Sequence, residues 1–132
     1  MYQIVMAVDK SEARAAAEAE AVCNLPRDPS DVQVTILHDF TNNPSGASVT
    51  QVSSVRRAQD RLEEAGIEVE LTESSGDPAG AIVDTADELD ADMIVLAARK
   101  RSPTGKVIFG SVTQTVLLET DRPVLVCGEG RE

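Results

Sequence analysis

The side chains most able to do chemistry gather in RKRSPTGKVIFGSV, positions 99–112. This stretch holds Arg99, Lys100, Arg101 and Lys106, four of the chain's twelve Lys and Arg residues. It follows an apolar run and ends in Gly110-Ser111, ahead of a segment with helical patterning. A helix start presents backbone N–H groups and partial positive charge, which favours an anion. Arg adds bidentate contact to phosphate oxygens. The first half of the stretch is poor in Gly, so a cradle lined by backbone amides is not what it encodes. A cationic one at Arg99, Lys100, Arg101 and Ser111 is, and its expected occupant is phosphate, sulfate or chloride. Ser111 would donate its hydroxyl to that anion, or would simply cap the helix. The competing role for the basic run is to pack against an acidic surface of this chain or of a partner.

Other chemistry is thinly represented. His38 is the only histidine. It sits next to Asp39 on a strand pattern, so the two side chains point to opposite faces and form no catalytic pair. It is expected to be a strand-end residue bonded to its neighbours. No Gly-x-Ser-x-Gly elbow exists, and Gly105-Lys106 lacks the upstream Gly and following Ser or Thr of a phosphate-binding P-loop. One His and scattered acids do not make a metal site. Cys23 and Cys127 have no metal-ligand spacing and read as reduced thiols, which suits the cytoplasm.

The elements that must position these residues alternate strand and helix. Apolar runs at 3–8, 32–38, 93–98 and 123–128 read as strands, with IEVELTE at 67–73 as a half-exposed strand at a sheet edge. Helical patterns cover 11–25, about 50–65, 75–89 and 110–119. Asp9 with Glu12 offers a capping box for the first helix. Gly66 stands where the second should end, and Asp77-Pro78 opens the third, whose apolar stripe is Ala79, Ile82, Val83, Ala86 and Leu89. TNNPSGAS at 41–48 reads as a loop. Strands separated by helices imply parallel pairing with right-handed crossovers. The expected fold is α/β: a doubly wound, Rossmann-like open sheet of five parallel strands in the order 3-2-1-4-5, with four helices on both faces. Ligands bind such sheets where the strand order reverses, beyond the carboxyl ends of the strands. That crevice falls between strands 1 and 4, flanked by Ala7, Val8 and Asp9 on one side and by the run from Leu96 and Ala97 to Arg101 on the other.

Bulk properties limit the partners. With 132 residues the chain makes one domain. Only 2% of it is aromatic against 42% hydrophobic, so Val, Ile, Leu and Ala build the core. The net charge is −11, which disfavours nucleic acid and anionic membrane surfaces. Acids far outnumber the three Lys. That balance predicts a salt-loving host, or else an ordinary acidic cytosolic protein. The amino terminus carries no basic leader, and no apolar run approaches the ~20 residues needed to span a membrane.

Taken together, IVMAVDKSEAR, VTILH, GDPAGAIVDTADELDADMIVLAAR, GKVIFGSVTQTVL and RPVLVC resemble the universal stress protein family over residues 2–128. The resemblance implies a regulatory protein in stress response, without a convincing catalytic base. One branch of that family binds ATP through Gly, two residues, Gly, nine residues, then Gly-Ser or Gly-Thr. Here the pattern falls on Ala97, Lys100, Gly110 and Ser111, so the first two glycines are replaced. Ala97 adds a methyl group, and Lys100 would be strained if its backbone needed positive φ. The resemblance places Asp9 near the base or ribose and Asp39 after His38 where members carry an apolar adenine contact, and it includes Val112 among the nucleotide-binding residues. It implies ATP or another adenine nucleotide as ligand. The alternative is a nucleotide-free module acting through an unknown protein partner. It also implies a homodimer paired through the strand at 123–128, an apolar edge suited to that.

Overall fold

The computed structural model describes residues 1–40, 48–98, 100–101, 107–108 and 110–128, with Thr50, Lys100, Arg101, Val107 and Ile108 described by their backbone. Residues 41–47 of the loop expected at 41–48, and Arg99, lie outside the described residues.

The chain forms β1 (Tyr2–Ala7), α1 (Glu12–Cys23), β2 (Val32–Asp39), α2 (Ser53–Glu64), β3 (Glu68–Ser74), α3 (Pro78–Leu89) and β4 (Met93–Ala97). A short antiparallel pair follows, β5 (Lys100–Arg101) with β6 (Val107–Ile108), and then α4 (Ser111–Glu119) and β7 (Val124–Cys127). The main sheet is parallel, in the order β3-β2-β1-β4-β7. It is the expected topology, with β7 as the fifth strand of the sheet. The β5–β6 pair is not apparent in the sequence, because two-residue strands carry no periodic signal.

Two apolar layers hold the helices to the sheet. Ile4, Met6, Val34, Ile36 and Val95 pack with Ala15, Ala19, Val55 and Leu62 of α1 and α2 on one face. Val5, Leu37, Ile94 and Leu96 pack with Ile82, Ala86 and Val116 of α3 and α4 on the other. Alternation along each strand divides the side chains in this way. The two edges of the sheet differ. β3 exposes Glu68, Glu70 and Glu73, whereas β7 presents half-buried Val124, Leu125 and Val126.

Local signals mostly act where they stand. The Asp77 carboxylate accepts from the Gly80 N–H at 3.1 Å and caps α3. Two expectations are corrected. α1 is capped by Ser11, not Asp9: the Ser11 hydroxyl accepts from the Arg14 N–H at 3.2 Å. Asp9 instead accepts from the Ser11 N–H at 2.9 Å and pairs with the Arg14 guanidinium at 2.9 Å. Leu89 does not complete the buried stripe of α3 and is 40% exposed, because the helix ends there in a left-handed cap at Asp90. Arg122 ties that end down, donating to Asp87, Asp90 and the Ala91 carbonyl, with its cation at the negative pole of the helix.

Candidate functional site

A crevice of about 200 Å³ opens at the carboxyl ends of the strands, where the order reverses between β1 and β4. Its central wall is Ala7, Val8 and Asp9 from β1 and the turn after it, facing Leu96 and Ala97 of β4. Asp39 and Leu37 of β2 close one side. Gly110, Val112 and Thr113 bring in the start of α4, and Pro78 and Ile82 the start of α3. Glu18 of α1 completes the lining.

Several contacts fix these groups. Val8 donates its N–H to the Leu37 carbonyl at 2.9 Å, which carries the β1–β2 pairing to the rim. The Asp39 carboxylate accepts from the Ser74 hydroxyl at 2.7 Å. Ser54, buried in α2, donates to the Asp9 carbonyl. Thr113, also buried, donates from Oγ1 to the Ala97 carbonyl at 3.4 Å, holding the first turn of α4 against the end of β4. Gly110 is the cap residue of α4, with extended backbone, and its carbonyl accepts from the Gln114 N–H.

Of the residues singled out from sequence, Ala7, Val8, Asp9, Asp39, Leu96, Ala97, Gly110 and Val112 come together in this crevice. His38 does not. It is buried on the α1–α2 side of the sheet, with Nδ1 2.7 Å from the Val8 carbonyl and its ring edge-on to Phe40 at 4.7 Å. The alternation that sends Asp39 into the crevice sends His38 into the core. Ser111 is not the helix cap, since Gly110 holds that position; Ser111 is exposed in the first turn. The cationic side chains of Arg99, Lys100 and Arg101 lie outside the described residues. The backbone of Lys100 is an extended strand in β5, and Asp90 is the sole non-glycine with positive φ among the described residues. The strain foreseen for a lysine in place of a motif glycine therefore does not arise.

Sequence reading missed Glu18, Leu37, Pro78, Ile82 and Thr113 as lining residues. Glu18 was detectable. Ala15, Glu18, Ala19 and Val22 are the buried positions of α1, a stripe with helical spacing that has a carboxyl in one core position. Glu18 is 1% exposed. Burial pushes its carboxyl well above the usual carboxylate range, Asp9 adds to the rise, and Arg14 opposes it. Cys127 is pushed up to about 11, first by burial and second by Glu18 nearby. Among the described residues no cluster of His, Cys, Asp and Glu is arranged to hold a metal ion. No helix among them is long and apolar enough to cross a membrane.

The profile of the Universal stress protein family matches residues 1–128. The chain belongs to the universal stress protein family. Among curated proteins of that family, a universal stress protein of Mycolicibacterium smegmatis is 32% identical over 80 residues, 60% of this chain and 62% of the relative. The match thus spans about three fifths of that relative's length. A solved universal stress protein of Archaeoglobus fulgidus superposes with a TM-score of 0.77 at 34% identity, covering 96% of this chain and 98% of that one. Two further structures share the fold. One is a universal stress protein in complex with cAMP, at a TM-score of 0.73 and 24% identity, with 98% of each chain covered. The other is a universal stress protein family protein of Arabidopsis thaliana with AMP bound, at 0.71 and 17%, covering 98% of this chain and 93% of that one.

Proposed function

We propose that this universal stress protein is a regulatory, adenine-nucleotide-binding protein of the stress response, with ATP among its ligands, and that the crevice between β1 and β4 is its site. The observation that carries this is the convergence of Asp9, Ala97 and the Gly110 helix start at the reversal point of the sheet, where open α/β sheets take ligands. Two proteins of the same fold hold cAMP and AMP, which supports an adenine ligand. The crevice, at about 200 Å³, is small beside the roughly 300–1,000 Å³ of drug-sized sites. It suits the base or ribose end of a nucleotide. The phosphate end belongs at the start of α4, with Ser111 and the cations Arg99, Lys100 and Arg101 taking the role of the missing glycines. A simple anion such as phosphate, sulfate or chloride would use the same cations.

A second reading is a nucleotide-free dimer that acts on protein partners. The half-buried apolar strand β7 at the border of the main sheet favours it, and homodimerisation through 123–128 is compatible with either role. Free thiols at Cys23 and Cys127 support a cytoplasmic setting, and the charge of −11 supports a salt-rich one.

Calorimetric titration of nucleotide-stripped protein with ATP and AMP, at low and at molar potassium chloride, tests the proposal. Saturable binding is expected, weaker at high salt because screening reduces the phosphate attraction, and weaker in Lys100→Ala and Ser111→Ala. No binding by folded protein at either salt overturns it and leaves the partner-binding dimer.

A further inference from the structure

A residue lining the crevice carries a buried carboxyl oxygen with no hydrogen-bond partner among the described residues. Glu18 lies at the second turn of α1, at a position whose neighbours in the buried stripe are Ala15, Ala19 and Val22. It is 1% exposed, lines the crevice, and its Oε2 has no hydrogen-bond partner among the described residues. A buried polar atom without a partner costs stability, and an apolar side chain at this position would avoid that cost. An unmet hydrogen-bonding atom on a residue that lines a cavity is suited to a ligand.

We propose that the Glu18 carboxyl is a specificity-determining contact of the crevice, pairing with a ligand edge that sets an acceptor beside a donor, the pattern on the amidine edge of adenine. The inference rests on the nucleotide reading above and names the group that would recognise the base. A protonated carboxyl offers one O–H donor and one acceptor oxygen side by side. Adenine offers a ring nitrogen acceptor next to its amino N–H donor, the same arrangement that Asn and Gln read through their amides. Burial favours the protonated form of Glu18, as does the negative charge of Asp9 at the crevice rim, while the Arg14 guanidinium acts against it. Cys127 of β7, the other titratable neighbour, stays a neutral thiol. Asp9 and Asp39 differ from Glu18 in having partners already, Arg14 with Ser11 and Ser74 respectively.

The test compares AMP with purine riboside 5′-monophosphate, which keeps the ring nitrogens and lacks the amino group. Wild type, Glu18→Leu and Glu18→Gln are titrated with both. Wild type should prefer AMP by about 3- to 10-fold, the size of one net hydrogen bond. Glu18→Leu should lose that preference and bind AMP weaker by a similar factor. Glu18→Gln keeps a donor beside an acceptor and should retain both affinity and preference. In a difference infrared spectrum, wild type minus Glu18→Gln, the carboxylic C=O band should shift when AMP is added. AMP affinity and preference unchanged in Glu18→Leu, or an unmoved C=O band, overturns the assignment and leaves the nucleotide proposal standing. Failure of wild type to bind ATP, AMP or the purine nucleotide overturns both.

Discussion

Glu18 sets an energetic conflict at the centre of the molecule. In the unfolded chain its carboxyl ionises near pH 4.3; in the folded chain burial holds it well above that range. Its contribution to stability is therefore fully present below the unfolded value. It is lost as pH rises toward the folded one, because only the unfolded state releases the proton. Glu18→Gln, which does not titrate, should be more stable than wild type at pH 7, because it escapes the cost of keeping a buried carboxyl protonated above the range where the unfolded chain releases its proton. That gap should close as pH falls toward 4. Urea midpoints of both proteins across this range measure it, and parallel pH profiles would refute the account. The position was readable in the sequence as a carboxyl on an apolar stripe; the lack of a partner for its Oε2 among the described residues was not, since that depends on what β4 and β7 bring near α1. The same limit applies to His38. The sequence tells which face of β2 it occupies, but only the packing shows that this face is closed by Phe40 and the Val8 carbonyl.

At the level of elements, termination signals were the most legible. Gly66 follows α2 with φ of 90°, donating its N–H to the Glu63 carbonyl at 2.9 Å while Ile67 donates to Leu62 at 3.1 Å. An added Cβ would meet Pro29 Cβ at 3.8 Å, an ordinary contact, so backbone conformation and not space requires glycine here. Gly66→Ala should destabilise the fold by about 1 kcal/mol, the left-handed penalty less the gain from a stiffer unfolded chain. Chemical denaturation checks this; an unchanged midpoint would mean the turn can relax. Starts were harder to read where several polar residues compete. Asp9, Ser11 and Glu12 all resemble caps. Ser11 takes the role because Val8, Asp9 and Lys10 are needed to turn the chain after β1, and Asp9 bonds within that turn. The β5–β6 pair and the 3-10 turn at Val49–Gln51 ahead of α2 are too short to leave a pattern.

For the whole molecule, strand order was legible because one amphipathic acidic strand had to be an edge and one continuous apolar run had to be central. Charge and assembly belong to this scale too. At −11 the molecule repels itself, and raising salt from about 0.1 M to about 1 M shortens the screening length from roughly 10 Å to 3 Å. The unfolding temperature should rise over that range, and light scattering should give the mass of two chains at both ends of it; a single-chain mass would exclude pairing through β7. The unlike edges of the sheet then bear on how far association can go. A copy that adds to β7 by a two-fold uses up the same strand on both partners. Each remaining border carries Glu68, Glu70 and Glu73, where a third copy meets only like charge. A dimer formed in this way would stop at two chains, with the glutamates on both faces of β3 opposing growth into a fibre.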